Sequence, residues 1–192
     1  MQFKGVDWSQ VLIGPLQSGK GCKTCNASLR SAPCRFLLSS SEWFAVPFGA
    51  SAYQDPKATR LNMELDVSGK EVLPLLQAMD QWVVQYVIKC GIFEDMSAED
   101  IAKQYHSCLQ YSDKYNAYRL RTKVNTEGMG ACKWFSSGSR EPLLFPSLVL
   151  RESVVQPVLW FKGLWKQTNQ WGMSLGVFKC LVDSQGTDVW DF

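Results

Sequence analysis

The stretch from residue 157 to residue 182, PVLWFKGLWKQTNQWGMSLGVFKCLV, decides the fold. Two apolar runs flank the polar turn QTNQ at 167–170, which predicts an antiparallel β-hairpin. Side chains alternate between the two faces of a strand. In the first strand of the hairpin, one face is predicted to carry Leu159, Phe161, Gly163 and Trp165. The other face is predicted to carry Val158, Trp160, Lys162, Leu164 and Lys166.

The tryptophans of this hairpin have two interpretations. Packing in the core is the ordinary role of a large ring in a strand. Rings that lie beside lysines are harder to bury, however, and an exposed indole can stack on an unpaired base. Trp160 and Trp165 are therefore candidate stacking residues, with Lys162 as a neighbouring cation.

A strand rich in cations is predicted at AYRLRTKVN, residues 117–125. Its alternation places Arg119, Arg121 and Lys123 on one face. Lys133 and Trp134 follow in the next strand-like segment. Cations that neutralise phosphates, close to rings that stack on bases, suit a single-stranded nucleic acid. The alternative is an ordinary solvated face with surface charge.

Helical segments interrupt the strands. LNMELDV at 61–67 alternates as a half-buried strand, and residues 72–91 then repeat apolar side chains at helical spacing. We predict Ser68 as the N-cap of this helix and Ser97 as the N-cap of a shorter helix at 97–106. Strands, helices and strands again predict a mainly β fold, a closed or partly closed barrel with a helical insertion at about 69–108.

The charge distribution favours a polyanionic ligand. The chain of 192 residues has 20 Lys and Arg against 18 Asp and Glu. Three of these Asp lie in the last ten residues, which contain no Lys or Arg, so the rest of the chain has 20 basic against 15 acidic side chains. A basic body with a short acidic tail is typical of polyanion binders.

The sequence predicts an intracellular protein without a membrane span. The most apolar run, 72–91, contains Asp80 and Lys89, which indicates a core helix. The N-terminus lacks the pattern of a signal peptide. Seven cysteines, an odd number, predict reduced thiols.

Metal binding and catalysis have little support in the sequence. CKTC provides Cys22 and Cys25, with Cys34 further on, but no second CxxC pair follows. These cysteines are weak zinc candidates, and we expect no metal, no cofactor and no enzymatic activity. His106 and Cys108 lie close together without an oxyanion loop or a partner motif, so a nucleophile–base pair is not expected.

The order of segments resembles a known family. PFGASAYQD (47–55), RLNMELDVSG (60–69), the long helix, AYRLRTKV, the tryptophan-rich hairpin and an acidic end closed by Phe192 together resemble the single-stranded-DNA-binding proteins of phages and large DNA viruses. The resemblance covers about residues 43–192 and does not include Cys22–Cys34. It implies an OB-fold five-stranded barrel without enzymatic activity, spanning 1–182, and an acidic tail at 183–192.

The resemblance also implies roles for particular residues. Single-stranded DNA would contact Arg119, Arg121, Lys123, Lys133, Trp134, Trp160, Lys162 and Trp165. Replication partners, a polymerase or a helicase-primase, would bind the tail residues Asp188, Trp190, Asp191 and Phe192. The expected process is replication, recombination or repair in the nucleus or a viral replication compartment, with a homodimer as one option. Two alternatives stay open: an RNA-binding OB module and a protein-interaction adaptor without a nucleic-acid ligand.

Overall fold

The computed structural model describes residues 1–19, 21–52, 55, 57–145 and 150–183. Its two longest strands form the predicted hairpin. The described elements are, in order, β1 (Val11–Ile13), β2 (Gln17–Ser18), β3 (Lys23–Leu29), β4 (Ala32–Leu37), β5 (Phe44–Val46), β6 (Ala50–Ser51), β7 (Arg60–Asp66), α1 (Val72–Cys90), α2 (Ala98–Lys103), β8 (Leu109–Ser112), β9 (Ala117–Asn125), β10 (Lys133–Ser136), β11 (Pro142–Leu143), β12 (Ser153–Lys166) and β13 (Trp171–Asp183).

The hairpin β12–β13 is the centre of the sheet. β12 pairs with β3, β4 and β5 on one side, while β13 pairs in parallel with β9 and β10 on the other. The main path through the sheet runs β1-β3-β4-β12-β13-β9-β7-β6. A mainly β fold with a helical insertion is therefore confirmed. The five-stranded OB barrel stays a prediction, because the described residues contribute thirteen strands to one open sheet.

A β-bulge at Lys162 and Gly163 interrupts the alternation of β12. Phe161 pairs with Leu175 and Gly163 pairs with the next residue back, Ser174, so Lys162 is an extra residue. Gly163 has φ of +131°, and a Cβ there would overlap the backbone carbonyl of Cys25. Only glycine fits this position.

The bulge corrects the predicted faces of β12. Leu159 and Phe161 are buried before the bulge, and Leu164 and Lys166 are buried after it. Trp165 is therefore half-buried on the same face as Trp160 and Lys162, and the prediction that it shares a face with Phe161 is wrong. One extra residue in a strand reverses which side chains point inward.

The helices pack one face against the sheet. α1 buries Val72, Leu76, Met79, Val83 and Val87, and it ends at Gly91 in the left-handed conformation, as predicted. Ser97 caps α2 through its side chain, also as predicted.

The predicted N-cap of α1 is wrong. Ser68 Oγ instead accepts a hydrogen bond from the backbone N–H of Tyr118 at 2.8 Å, and α1 starts at Val72.

Within the described ranges, no helix has the length and apolarity needed to cross a bilayer.

We predict that Gly163→Ala lowers the free energy of unfolding by about 3 kcal/mol or more, because the added methyl group meets fixed backbone in a conformation that favours glycine. Gly138→Ala is the control, since nothing lies within 4 Å of a Cβ there. Urea denaturation followed by tryptophan fluorescence measures both. Equal midpoints for the two variants would contradict the role of Gly163.

Candidate nucleic-acid interface

A row of paired residues crosses one face of the sheet from β4 to β6. Each is the direct cross-strand neighbour of the next, in the order Arg35, Trp160, Gly176, Lys123, Asn62 and Ser51. Directly paired residues project from the same face of a sheet. The row therefore joins a tryptophan of the hairpin to the cationic strand β9 on one continuous surface.

Glycines of β13 form the floor of this surface. A Cβ on Gly176 would lie 2.5 Å from Cε of Lys162, so the lysine stem crosses the sheet directly above Gly176. Gly172 is in turn the cross-strand partner of Trp165, whose ring carbons would lie 3.0 and 3.1 Å from a Cβ on Gly172. The missing side chains let Lys162 and Trp165 lie low over β13.

Lys162 and Trp165 line a cleft of about 950 Å³. The indole N–H of Trp165 donates to the backbone carbonyl of Met173 at 3.2 Å, which fixes the orientation of the ring. His106 lies at its edge, with 6.3 Å between the ring centroids. A fixed, half-buried indole in an open cleft is a suitable platform for one stacked base.

The cleft has a net positive charge. Among the described residues, its lining includes four cationic side chains and one carboxylate: Arg60, Arg121, Lys123 and Lys162 against Glu64. Lys123 donates to the neutral amide oxygen of Asn62. Clefts lined by one sign of charge concentrate ligands of the opposite sign.

Strand β7 places acidic side chains beside two of the predicted DNA-binding cations. Glu64 pairs with Arg121 at 3.0 Å, and Asp66 pairs with Arg119 at 2.8 Å. The Arg121 side chain is half exposed and can exchange this partner for a phosphate at low cost. Arg119 is buried, so its availability to a ligand is much lower than the sequence suggests.

The cations of the cleft raise one another's electrostatic energy. Burial is the largest cause that lowers the pKa of both Lys123 and Lys162, and repulsion from Arg60 is the second. Arg121 lowers the pKa of Lys123 further. A bound phosphate would relieve this repulsion, because an opposite charge favours the protonated form of lysine.

The structure brings five of the eight predicted contact residues to the cleft or its border. Arg121, Lys123, Lys162 and Trp165 line the cleft together. Trp160 borders it, with the Lys162 ammonium 5.1 Å and the Arg35 guanidinium 5.2 Å from its ring.

The predictions for β10 fail or stay open. Trp134 is buried and stacks on Phe145, with ring centroids 5.9 Å apart, so its prediction as a stacking residue for bases is wrong. Lys133 is exposed on β10, outside the cleft, and a DNA contact there stays a prediction.

Three useful residues were missed by the sequence analysis. Arg60 was not singled out because it begins a strand without a neighbouring cation. Gly172 and Gly176 did carry a signal, since glycine inside a strand often marks the close approach of another group. The alternation of 61–67 showed the polar face of β7. Its pairing with β9 depends on residues more than fifty positions apart and has no local signal.

Other predicted sites have different outcomes. Cys25 is buried in β3 and Cys34 is buried in β4, and burial raises the pKa of each thiol. Cys22, just before β3, is half-buried. Across the described ranges, no three His, Cys, Asp or Glu side chains come together as metal ligands. The tail residues Asp188, Trp190, Asp191 and Phe192 lie outside the described residues, so their role in partner binding stays a prediction.

Comparison with known proteins finds a similarity in structure but none in sequence. No family model and no curated protein matches the sequence. The fold is similar to that of a single-stranded DNA-binding protein from bacteriophage Enc34 in complex with ssDNA, with a TM-score of 0.48 and 10% identity over 88% of this chain and 93% of that chain. The phage protein is of the class that the sequence resembles. At this level of similarity, we base the function on the geometry of the cleft.

We predict that affinity for oligo-dT falls at alkaline pH, below the usual lysine pKa of 10.5. As the pH rises through their lowered pKa values, Lys123 and Lys162 lose their protons before ordinary lysines do, and their phosphate contacts are lost. The double variant Lys123→Arg, Lys162→Arg should keep its affinity over the same range because guanidinium stays protonated. Fluorescence anisotropy at constant ionic strength measures this.

Lys89→Arg, on the exposed face of α1, is the matched control and should behave like the unmodified protein. If the unmodified protein and the double variant lose affinity in parallel, the lysines of the cleft are not the titrating groups.

Proposed function

We propose that this protein binds single-stranded DNA without sequence preference through the cleft between β12, β13, β9 and β7. The observation that carries the proposal is the placement of Trp165 and Lys162 over the glycines of β13, with Lys123 beside them on β9 as the cross-strand partner of Gly176. Cations beside a fixed ring supply the two interactions that a single strand requires, phosphate neutralisation and base stacking.

The cleft suits a backbone-directed ligand. Lys123 and Lys162 are flexible ammonium donors, and Arg121 presents a planar fork that matches phosphate geometry. Every base has a π-face, so stacking on Trp165 tolerates any sequence. We therefore propose an affinity governed by strand length and salt.

The finer parts of the function rest on the sequence. They are the OB barrel, the role in replication, recombination or repair, and the recruitment of replication proteins by the tail. The OB barrel and the role in replication, recombination or repair are supported by the resemblance of the sequence, and the role of the tail is supported by the acidic end that follows a basic body. We also propose an intracellular location, in the nucleus or a viral replication compartment.

We predict separate effects of charge and ring variants on binding. For the unmodified protein, log affinity for oligo-dT should fall steeply with log salt, by about 0.7 per neutralised phosphate. Lys162→Gln should reduce this slope by about 0.7, whereas Trp165→Leu should keep the slope and weaken binding by about 1–3 kcal/mol. Fluorescence anisotropy between low and moderate salt measures both quantities.

Two outcomes would redirect the proposal. A flat salt dependence would exclude phosphate contacts as the basis of binding, and no binding to any single strand would favour the protein-adaptor alternative. Competition between dT and rU oligomers of equal length separates DNA from RNA. Lys89→Gln is the control for the removal of one exposed charge outside the cleft.

We predict that Glu64→Gln strengthens binding several-fold. Glu64 is the counterion of Arg121 inside the cleft, and an incoming phosphate has to displace it. Glutamine keeps the size and the acceptor oxygen but removes the charge, so the salt slope should become steeper by about 0.7. The control is Glu152→Gln, which removes an exposed carboxylate paired with Arg151 at 3.5 Å outside the cleft. Unchanged or weaker binding of Glu64→Gln would show that Arg121 does not contact DNA.

A further inference from the structure

Two exposed rings meet at one end of the cationic face of β9. Phe48, in the turn between β5 and β6, and Tyr115, in the turn before β9, have ring centroids 5.4 Å apart. Phe48 is 45% exposed and Tyr115 is 47% exposed. The side chains come from turns 67 positions apart in the sequence, so their meeting is a product of the fold.

The buried guanidinium of Arg119 lies beside both rings. Its central carbon is 5.6 Å from the Phe48 centroid and 5.8 Å from the Tyr115 centroid. The ion pair with Asp66 at 2.8 Å holds this guanidinium in place. The two rings are thus seated on a fixed cation while much of their area stays open to solvent.

This ring pair is continuous with the cleft. Arg119 and Arg121 project from the same face of β9, two residues apart, which corresponds to a step of about 7 Å along the strand. Lys114 adds an ammonium group 5.1 Å from the Tyr115 ring centroid. A strand bound in the cleft that continues along β9 past Arg121 reaches the two rings next.

We propose that Phe48 and Tyr115 form a second stacking site, for a nucleobase of the same strand that occupies the cleft. The inference rests on the proposed function and extends it: the bound strand follows β9 from the Trp165 cleft to this ring pair. Arg119 supports the rings and contributes positive potential without releasing Asp66. This role replaces the direct phosphate contact expected from the sequence.

The test compares oligomers of different length. Affinity is measured for dT oligomers of about 4 to 16 nucleotides, the range of site sizes for such modules. The unmodified protein should gain affinity when the oligomer becomes long enough to reach the rings. Phe48→Leu and Tyr115→Leu keep an apolar side chain but remove the π-face, so each should lose at least about five-fold for long oligomers and nothing for short ones.

The chain contains a matched control pair. Tyr111 and Tyr118 have ring centroids 5.1 Å apart at a similar tilt, and Tyr111 is 49% exposed. Tyr118 is adjacent to Arg119 in β9 and therefore projects from the opposite face. Tyr118→Leu removes one ring of this pair and keeps the hydrogen bond from Tyr111 to Asn116 beside Tyr115, so it should leave the dependence on length unchanged. Thermal melting followed by circular dichroism checks that each variant is folded.

A second measurement locates the contact on the ligand. A long oligomer with 2-aminopurine at one end or the other reports stacking through quenching of its fluorescence. Phe48→Leu or Tyr115→Leu should restore fluorescence at one end of the oligomer alone, and Trp165→Leu should restore it at the other end.

The outcomes distinguish this site from the cleft. Equal losses at all lengths for the Phe48 and Tyr115 variants, or no loss at any length, would overturn the second site while leaving the cleft intact. A length dependence that Tyr118→Leu abolishes equally would also overturn it. Failure of the proposed function itself gives a different result, in which the unmodified protein binds no oligomer or Trp165→Leu and Lys162→Gln bind as it does.

Discussion

The whole interface depends on the bulge at Lys162 and Gly163. In a regular strand, Trp165 would lie on the face of Phe161 and fill the core, as the sequence alternation predicts. The extra residue moves Trp165 to the face of Lys162, and the glycine conformation with φ of +131° makes the change of face possible beside the backbone of Cys25. A local backbone irregularity thus turns a core strand into one wall of a cleft.

The cleft is built at an electrostatic cost. Lys123 and Lys162 are partly desolvated, and this desolvation is the main cause of their lowered pKa values; repulsion from Arg60 is the second cause. Glu64 offsets part of it through Arg121, where an exposed ion pair contributes only about 0–1 kcal/mol. Positive charge that the fold leaves uncompensated is available to a ligand, and the carboxylate of Glu64 in the same cleft would compete with a phosphate for Arg121.

Local rules explain which elements the sequence could predict. The hairpin and the strand 117–125 follow from a polar turn and period-two alternation, and Ser97 follows from the capping pattern, so these elements are as expected. The bulge has a weaker signal: an isolated glycine such as Gly163 inside a strand often marks a bulge, but the alternation of the sequence continues through it without a break. The placement of Trp134 beside Cys180 of β13 and the pairing of Arg119 with Asp66 depend on long-range register, which one sequence does not contain.

The geometry of the cleft also argues for an unpaired strand over a duplex. Trp165 is half-buried, lies low over Gly172 and is held by a hydrogen bond to Met173, so it cannot extend toward a base that is stacked inside a helix. A base reaches this ring only after leaving its stack, at a cost of a few kcal/mol in duplex DNA and much less in a single strand. Duplex DNA could therefore use the cations of the cleft but not its ring. In the mode of binding that we propose, stacking on Trp165 would contribute about 1–3 kcal/mol per base, and this is the part of the affinity that would discriminate single strands from duplex.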